Sequence, residues 1–295
     1  MLKPKKLREI PEKGAAMELK EVLAAIRPAS REAYEACVTR FNGIGKPVGS
    51  LGRLETLLER IAAASDSADI DIGKKCVLVF CADNGVLAQG VAQSTHEITT
   101  VIARSLLRGT ASVSAMARAV GADVFPVDMG MIDPVEGMEN HAVARGTGDI
   151  SRENAMTRRQ AAEAILTGVE LVRQRKAEGY RLIATGEAGI GNTTTAAAVT
   201  AALLGLEPET VTGRGSGLSD AGLDRKRRAI RRALEGIIFL PPLQVLQPIY
   251  QFRSNPSPDL RPGIGTDRFC HWDNTSLLSW DQPHQWPSTW ETNRR

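Results

Sequence analysis

Between Tyr180 and Gly205 the chain reads YRLIATGEAGIGNTTTAAAVTAALLG, and this stretch constrains the fold more than any other. Residues 181–185 are a short β-prone run. Gly186, Gly189 and Gly191 then interrupt it, and an alanine-rich run ends at Gly205. The order is strand, glycine-rich loop, helix. Glycines let the backbone turn sharply and let a ligand approach the main chain, and Asn192 and Thr193 are residue types that cap helices. A helix start offers N–H groups and partial positive charge to a phosphate. No Lys-Ser/Thr pair follows the last glycine, and the spacing is not GxGxxG, so neither common nucleotide motif is present. On physics alone, a phosphate cradle and a plain strand-to-helix turn stand level. Glu187 is expected inside the loop. A phosphate would repel it there, so it is expected to face sugar hydroxyls or a base.

The chain before this stretch sets its context. Residues 76–81, CVLVFC, form a continuous apolar run of the kind found in a strand covered on both faces. Asp83-Asn84-Gly85 follows as turn chemistry, at the carboxyl end of a strand where open α/β sheets place ligands. Helices are expected over 17–26, 31–41, 97–107 and 111–120, and a strand over 124–127. Leu54, Leu57, Leu58 and Ile61 mark one face of a further helix. Thr157 and Gln160 have the form of a capping box opening another, which Ile165, Val169 and Val172 continue. Strands alternating with helices predict an α/β fold, a parallel sheet covered by helices. The loop Lys46-Pro47-Val48-Gly49-Ser50-Leu51-Gly52-Arg53 reads equally as a connector or as a ligand or subunit contact.

A second glycine loop, Gly213-Arg214-Gly215-Ser216-Gly217, precedes a charged helix over 219–237. Two such loops, each opening a helix, favour one shared anionic ligand. Lys226 lies two turns into that helix, and its bland alternative is a solvated lysine. The four cysteines show no metal-ligand spacing, and Cys76 and Cys81 read as buried thiols. A net charge of +3 does not argue for nucleic acid or membrane. With no secretory signal and no apolar run of transmembrane length, the expected location is cytoplasmic.

Both ends depart from this pattern. Residues 1–16 are lysine-rich and are expected to be a disordered extension. After Ile237 the composition changes: all four tryptophans fall in the last 24 residues, eight of the fifteen prolines lie here, and alanine and lysine are absent. Residues 238–295 therefore read as an irregular tail, with a proline-rich linker or a frameshifted end as the two explanations.

Six pieces together resemble one family. They are residues 46–55 (KPVGSLGRLE), 82–94 (ADNGVLAQGVAQS), 127–131 (VDMGM), 155–161 (AMTRRQA), 186–194 (GEAGIGNTT) and 213–218 (GRGSGL). In this order, over residues 17–237, they are similar to the nicotinate-nucleotide–dimethylbenzimidazole phosphoribosyltransferases. The resemblance implies transfer of the 5-phosphoribosyl group of nicotinate mononucleotide to 5,6-dimethylbenzimidazole, giving nicotinate and α-ribazole 5′-phosphate for cobalamin assembly. It implies a homodimer that needs no metal or other cofactor. The implied fold is a Rossmann-like domain over 66–237 with a small helical domain. Residues 17–65 supply one segment of the small domain, which is expected to be incomplete here.

By the same resemblance Glu187 lies at the ribose or reacting centre, and Lys226 is the active-site lysine of the second helix. Gly189, Gly191, Asn192 and Thr193 bind phosphate beside Gly213, Arg214, Gly215, Ser216 and Gly217, and Asp83 is expected at the substrate. Two departures stand out. Ala188 replaces the family's usual methionine, and the family's C-terminal general-base glutamate has no counterpart, Glu291 being the only glutamate after Phe239. The alternatives are a binding-only remnant that holds nicotinate mononucleotide, and an unrelated phosphotransferase with P-loop-like chemistry.

Overall fold

The computed structural model describes residues 12–236. Three helices come first: α1 (Glu12–Ala24), α2 (Arg31–Asn42) and α3 (Arg53–Ser65). The alternating part follows, with β1 (Lys75–Ala82), a 3₁₀ turn at Gly85–Gln89, α4 (Glu97–Leu107), α5 (Ser112–Ala119) and β2 (Ala122–Gly130). A two-residue β3 (Glu139–Asn140), α6 (Arg158–Ala177), β4 (Leu182–Ala188) and α7 (Asn192–Leu204) continue it. A single turn, α8 (Pro208–Val211), and the long α9 (Asp220–Gly236) complete the described residues. The expected irregular tail and the Glu291 surroundings lie outside them.

The four strands are parallel in the order β3-β2-β1-β4. Strand β1 is central and alternates its side chains between two layers, as a pleat requires. Val79 and Cys81 pack with Ala103 and Leu106 of α4, and Leu78 packs with Val127 and Leu171 on the α6 side. Cys76 and Cys81 are both buried, and burial followed by nearby carboxylates pushes the Cys81 thiol up to about 12. The chain runs from β1 outward to β2 and β3, then returns to place β4 on the other side of β1. Strands β1 and β4 thus form a topological switch point, where open α/β sheets bind ligands at the carboxyl ends.

Two expectations need correction. Helix α1 begins at Glu12, so residues 12–16 of the supposed disordered extension are helical. Strand β4 runs on to Ala188, because Gly186, Glu187 and Ala188 pair with Val79, Phe80 and Cys81 of β1. Glu187 therefore stands on a strand end and not in the loop. In α3 Leu54 and Leu57 of the apolar stripe are 50% and 55% exposed, Leu58 and Ile61 are half-buried, and Glu55 and Ala62 are the buried residues. In α6 the capping box at Thr157 and Gln160 is present and the helix continues through Ile165, Val169 and Val172 as expected, with Leu166 and Leu171 among its buried residues. α1 lies against α6 through Leu19 and Val22 on Ala162 and Leu166.

Candidate active site

Three loops meet beyond the carboxyl ends of β1 and β4. The first, Gly189-Ile190-Gly191, joins β4 to α7. Its glycines answer to the end of β1: a Cβ on Gly189 would lie 1.9 Å from the Ala82 carbonyl oxygen. Gly191 sits at φ 92° and is itself the N-cap of α7, so Asn192 is the first helical residue and not the cap. Ile190 donates its N–H to Thr99 Oγ1 on α4 at 3.1 Å, and Asn84 Nδ2 donates to the Ile190 carbonyl at 3.4 Å. Thr195 Oγ1 donates to Asn84 Oδ1 at 2.9 Å. Asn84 thereby fixes the glycine loop to the end of β1.

The second loop, Gly213–Gly217, is closed by its own arginine. Arg214 donates to the Leu218 carbonyl at 2.9 Å and to the Asp220 carboxylate. That hydrogen bond, then the guanidinium charge, holds the Asp220 carboxyl below its ordinary range. Gly215 sits at φ 57° and Gly217 at φ 97°, both in the left-handed region that suits glycine. The main-chain N–H groups of Gly215, Ser216 and Gly217 find no acceptor among the described residues.

Lys226 joins the two loops. Its side chain comes off α9 and is 1% exposed, so the solvated-lysine alternative is wrong. The ammonium donates to Thr193 Oγ1 at 2.7 Å and to the Gly213 carbonyl at 3.1 Å. A Cβ on Gly215 would lie 3.2 Å from Thr193 Oγ1 and 3.5 Å from Lys226 Nζ, so a side chain there would crowd the junction. Buried ammonium groups are kept only where hydrogen-bonding partners surround them.

From Lys226 a chain of contacts runs back to the strand end. Thr193 donates its N–H to Asn192 Oδ1 at 2.9 Å, and Asn192 Nδ2 donates to the Glu187 carboxylate. Glu187 is exposed. The first-turn N–H groups of α7 are occupied locally: Asn192 N–H donates to the Gly189 carbonyl and Thr194 N–H to the Gly191 carbonyl. Thr193 N–H is taken as well, by the Asn192 side-chain oxygen, whereas the three N–H groups of the second loop have no such partner among the described residues.

The third loop, residues 83–96, opens a cleft of ≈ 500 Å³ whose lining includes Asp83, Asn84, Gln93, Ser94, His96 and Ile132. Asp83 is 2% exposed and accepts the Ile132 N–H on Oδ2 at 2.8 Å. Gln93 Nε2 donates to the Gly217 carbonyl at 2.6 Å, tying the cleft to the second glycine loop. Arg225 on α9 donates to the Gly90 carbonyl at 3.3 Å, and Gly85 packs so closely on Thr147 that a Cβ would meet its carbonyl at 2.3 Å. Among the described residues no cluster of three His, Cys, Asp or Glu side chains is placed to hold a metal ion. No helix among them is long and apolar enough to cross a membrane.

Comparison with known proteins matches a family model described as phosphoribosyltransferase over residues 26–249. The nicotinate-nucleotide–dimethylbenzimidazole phosphoribosyltransferase of Clostridium tetani is 38% identical over 219 residues, covering 74% of this chain and 60% of the relative. The namesake from Geobacter metallireducens is 41% identical, covering 73% and 62%. A solved structure of CobT from Thermus thermophilus superposes with TM-score 0.66 at 40% identity, covering 69% of this chain and 62% of that one. The chain belongs to the nicotinate-nucleotide–dimethylbenzimidazole phosphoribosyltransferase family. It spans 60–62% of the length of those two curated relatives. The family match also runs to residue 249, beyond the boundary expected at 237.

Within this family framework the structure brings Glu187, Asn192, Thr193, Gly213, Gly215 and Lys226 into one connected network, with Gly189 and Gly191 shaping its first loop. Asp83 sits at the cleft and Arg214 braces the second loop from its exposed side. Sequence reasoning did not assign Asn84, Gln93, Thr99 or His96. Three signals were within reach: Asn84 sits in the recognised turn, Gln93 in the quoted motif, and His96 just before a helical pattern. Their partners lie 91 to 124 residues away for Thr99, Asn84 and Gln93, and no local pattern gives that pairing.

Proposed function

We propose that this chain transfers the 5-phosphoribosyl group of nicotinate mononucleotide to 5,6-dimethylbenzimidazole, releasing nicotinate and α-ribazole 5′-phosphate in cobalamin nucleotide-loop assembly. The observation that carries this reading is the Lys226 ammonium, buried between Thr193 and the Gly213 carbonyl. Beside it stand the N–H groups of Gly215, Ser216 and Gly217, which have no acceptor among the described residues and belong to a glycine turn of the kind that holds anions. Family membership supplies the identity of the substrates.

The chemistry suits the site. Nicotinate leaves the ribose as a neutral pyridine, so it requires no proton from an acid. Catalysis then consists of holding two substrates in line and surrounding a developing oxocarbenium-like centre with fixed charges and dipoles. Glu187, at the end of β4 and bonded by Asn192, is the carboxylate for the ribose or reacting centre. Phosphate is held by the second glycine loop, with Gly189–Thr193 and Lys226 beside it. The base enters the cleft near Asp83. A cytoplasmic homodimer is the assembly proposed, on the same family grounds.

Nicotinate mononucleotide binding to the full chain tests this, compared with nicotinate riboside. The nucleotide should bind at least about tenfold more tightly, the scale of about 1.4 kcal/mol. Equal affinities would remove the phosphate site. Tight binding without product formation would turn the chain into a binding-only member of the family.

A further inference from the structure

Four carbonyls of the second glycine loop and its end are engaged. Lys226 Nζ donates to that of Gly213, the Leu218 N–H to that of Arg214, Arg214 to that of Leu218, and Gln93 Nε2 to that of Gly217. The N–H groups of Gly215, Ser216 and Gly217 are left as donors with no acceptor among the described residues. Three of these four holds come from residues 214–226. The fourth comes from Gln93, on the loop of residues 83–96 and 124 positions earlier in the chain.

The hold at Gly217 has a physical consequence. A glycine at φ 97° has wide backbone freedom, so its own sterics do not set its peptide planes. Its N–H is one of the three donors offered to the phosphate. The 2.6 Å bond from Gln93 fixes the carbonyl side of the residue, and so limits where that N–H points. Gln93 itself starts from a braced segment. Arg225 on α9 donates to the Gly90 carbonyl at 3.3 Å, and Arg232 donates to Gln89 Oε1 at 2.8 Å. The cleft loop and α9 are thus joined just before Gln93 reaches across.

Gln93 also lines the cleft of ≈ 500 Å³ assigned above to the base, and it is exposed. A hydrogen bond open to water contributes little net, because water competes for both partners. The same bond under an aromatic ring lies in a lower dielectric and is stronger.

We propose that Gln93 is a positioning residue that couples the two substrates. It sets the Gly213–Gly217 loop for the 5′-phosphate, and a benzimidazole seated against it shuts out water and strengthens that hold. This rests on the phosphoribosyl-transfer reading above. Such coupling is reciprocal: the base tightens the phosphate ligand by the factor by which that ligand tightens the base.

Ribose 5-phosphate is the probe, because it carries the phosphate and has no leaving base, so no transfer follows when 5,6-dimethylbenzimidazole is added. In calorimetry on the full chain, saturating base should lower the Kd of ribose 5-phosphate about fivefold, the low end of common coupling. Gln93→Met is similar in size and has no donor. It should bind ribose 5-phosphate about threefold more weakly without base, the scale of one lost hydrogen bond, and addition of base should leave that Kd where it was. Nicotinate riboside, lacking the phosphate, should bind the variant and the unaltered chain alike. In turnover, the variant's KM for nicotinate mononucleotide should rise by more than its kcat falls. Because Gln93 is exposed, Tm should hardly move.

An equal effect of base on the variant and the unaltered chain overturns the proposal, and so does the absence of any base effect on the unaltered chain. A riboside affinity that falls as far as that of ribose 5-phosphate also overturns it, since the loss would then not lie at the phosphate. Failure of both ribose 5-phosphate and nicotinate mononucleotide to bind defeats the transferase reading and this proposal together. Binding of both without coupling defeats the role of Gln93 alone.

Discussion

Lys226 and Glu187 stand at the two ends of one hydrogen-bonded chain, and they should fail differently when altered. Lys226 is 1% exposed and holds Thr193 and the Gly213 carbonyl together. Lys226→Gln is shorter and neutral, so it leaves buried acceptors without their donor. It should cost about 1–3 kcal/mol of stability and also remove the preference for nucleotide over riboside. Thermal unfolding and calorimetry read the two effects, and an unchanged preference would separate Lys226 from the phosphate. Glu187 is exposed at the strand end, so Glu187→Gln should lower kcat with almost no change in Tm. Normal turnover would leave Glu187 with a structural part at the strand end alone. Of these residues the sequence shows which types gather in the two loops, but not their depth. Lys226 reads as a surface lysine on an arginine-rich helix, because burial at that position depends on α7 lying beneath it. Glu187 reads as a loop residue because three nearby glycines outweigh a strand pairing made with residues about a hundred positions earlier.

The elements were legible where their signals are local, and their faces were not. The Thr157 capping box, the apolar run of β1 and the stop at Gly205 are written within a few residues, and each is found in place. On α3 the helix is found where its apolar stripe predicts it, yet α2 is the helix packed on it, and Leu54 and Leu57 remain outside. What α3 buries instead is a charge. Glu55 Oε1 accepts from Lys46 Nζ at 2.9 Å and from the Leu51 N–H at 2.9 Å, which closes the glycine-punctuated loop before the helix. The Lys46 hydrogen bond, then that of Leu51, holds the Glu55 carboxyl below its ordinary range. A carboxyl with a lower value in the folded state binds more protons when unfolded, so stability rises with pH across its titration. The contribution is present above the unfolded value of about 4.3 and is lost as pH falls through the folded value. Unfolding followed from about pH 6 down to pH 3 should therefore show a loss of stability, and Glu55→Gln should remove part of that slope. A slope identical in the variant would mean that Glu55 keeps its proton balance on unfolding.

For the whole molecule, composition and alternation established a parallel α/β sheet, whereas the strand order came only with the structure. That order places β4 at an edge, which matters physically because its outer backbone groups pair with no strand among the described residues. Apolar side chains are exposed on both β4 and the helix that follows it: Leu182 is 43% exposed on β4, and Val199 and Leu203 are 51% and 39% exposed on α7. Helix α7 has few polar residues after its first turn, so it has no face suited to water. Unpaired strand edges flanked by apolar surface are templates for association. A chain cut after Gly236 should therefore elute as oligomers, bind a hydrophobic dye and lose protein to aggregation on warming. Replacing Val199 and Leu203 by lysine in that shortened chain should reverse much of this, since both positions face outward and neither belongs to the buried set Thr194, Ala197, Ala198 and Ala201. Light scattering after size exclusion decides it. A monodisperse, dye-negative protein ending at Gly236 would show that this face tolerates water.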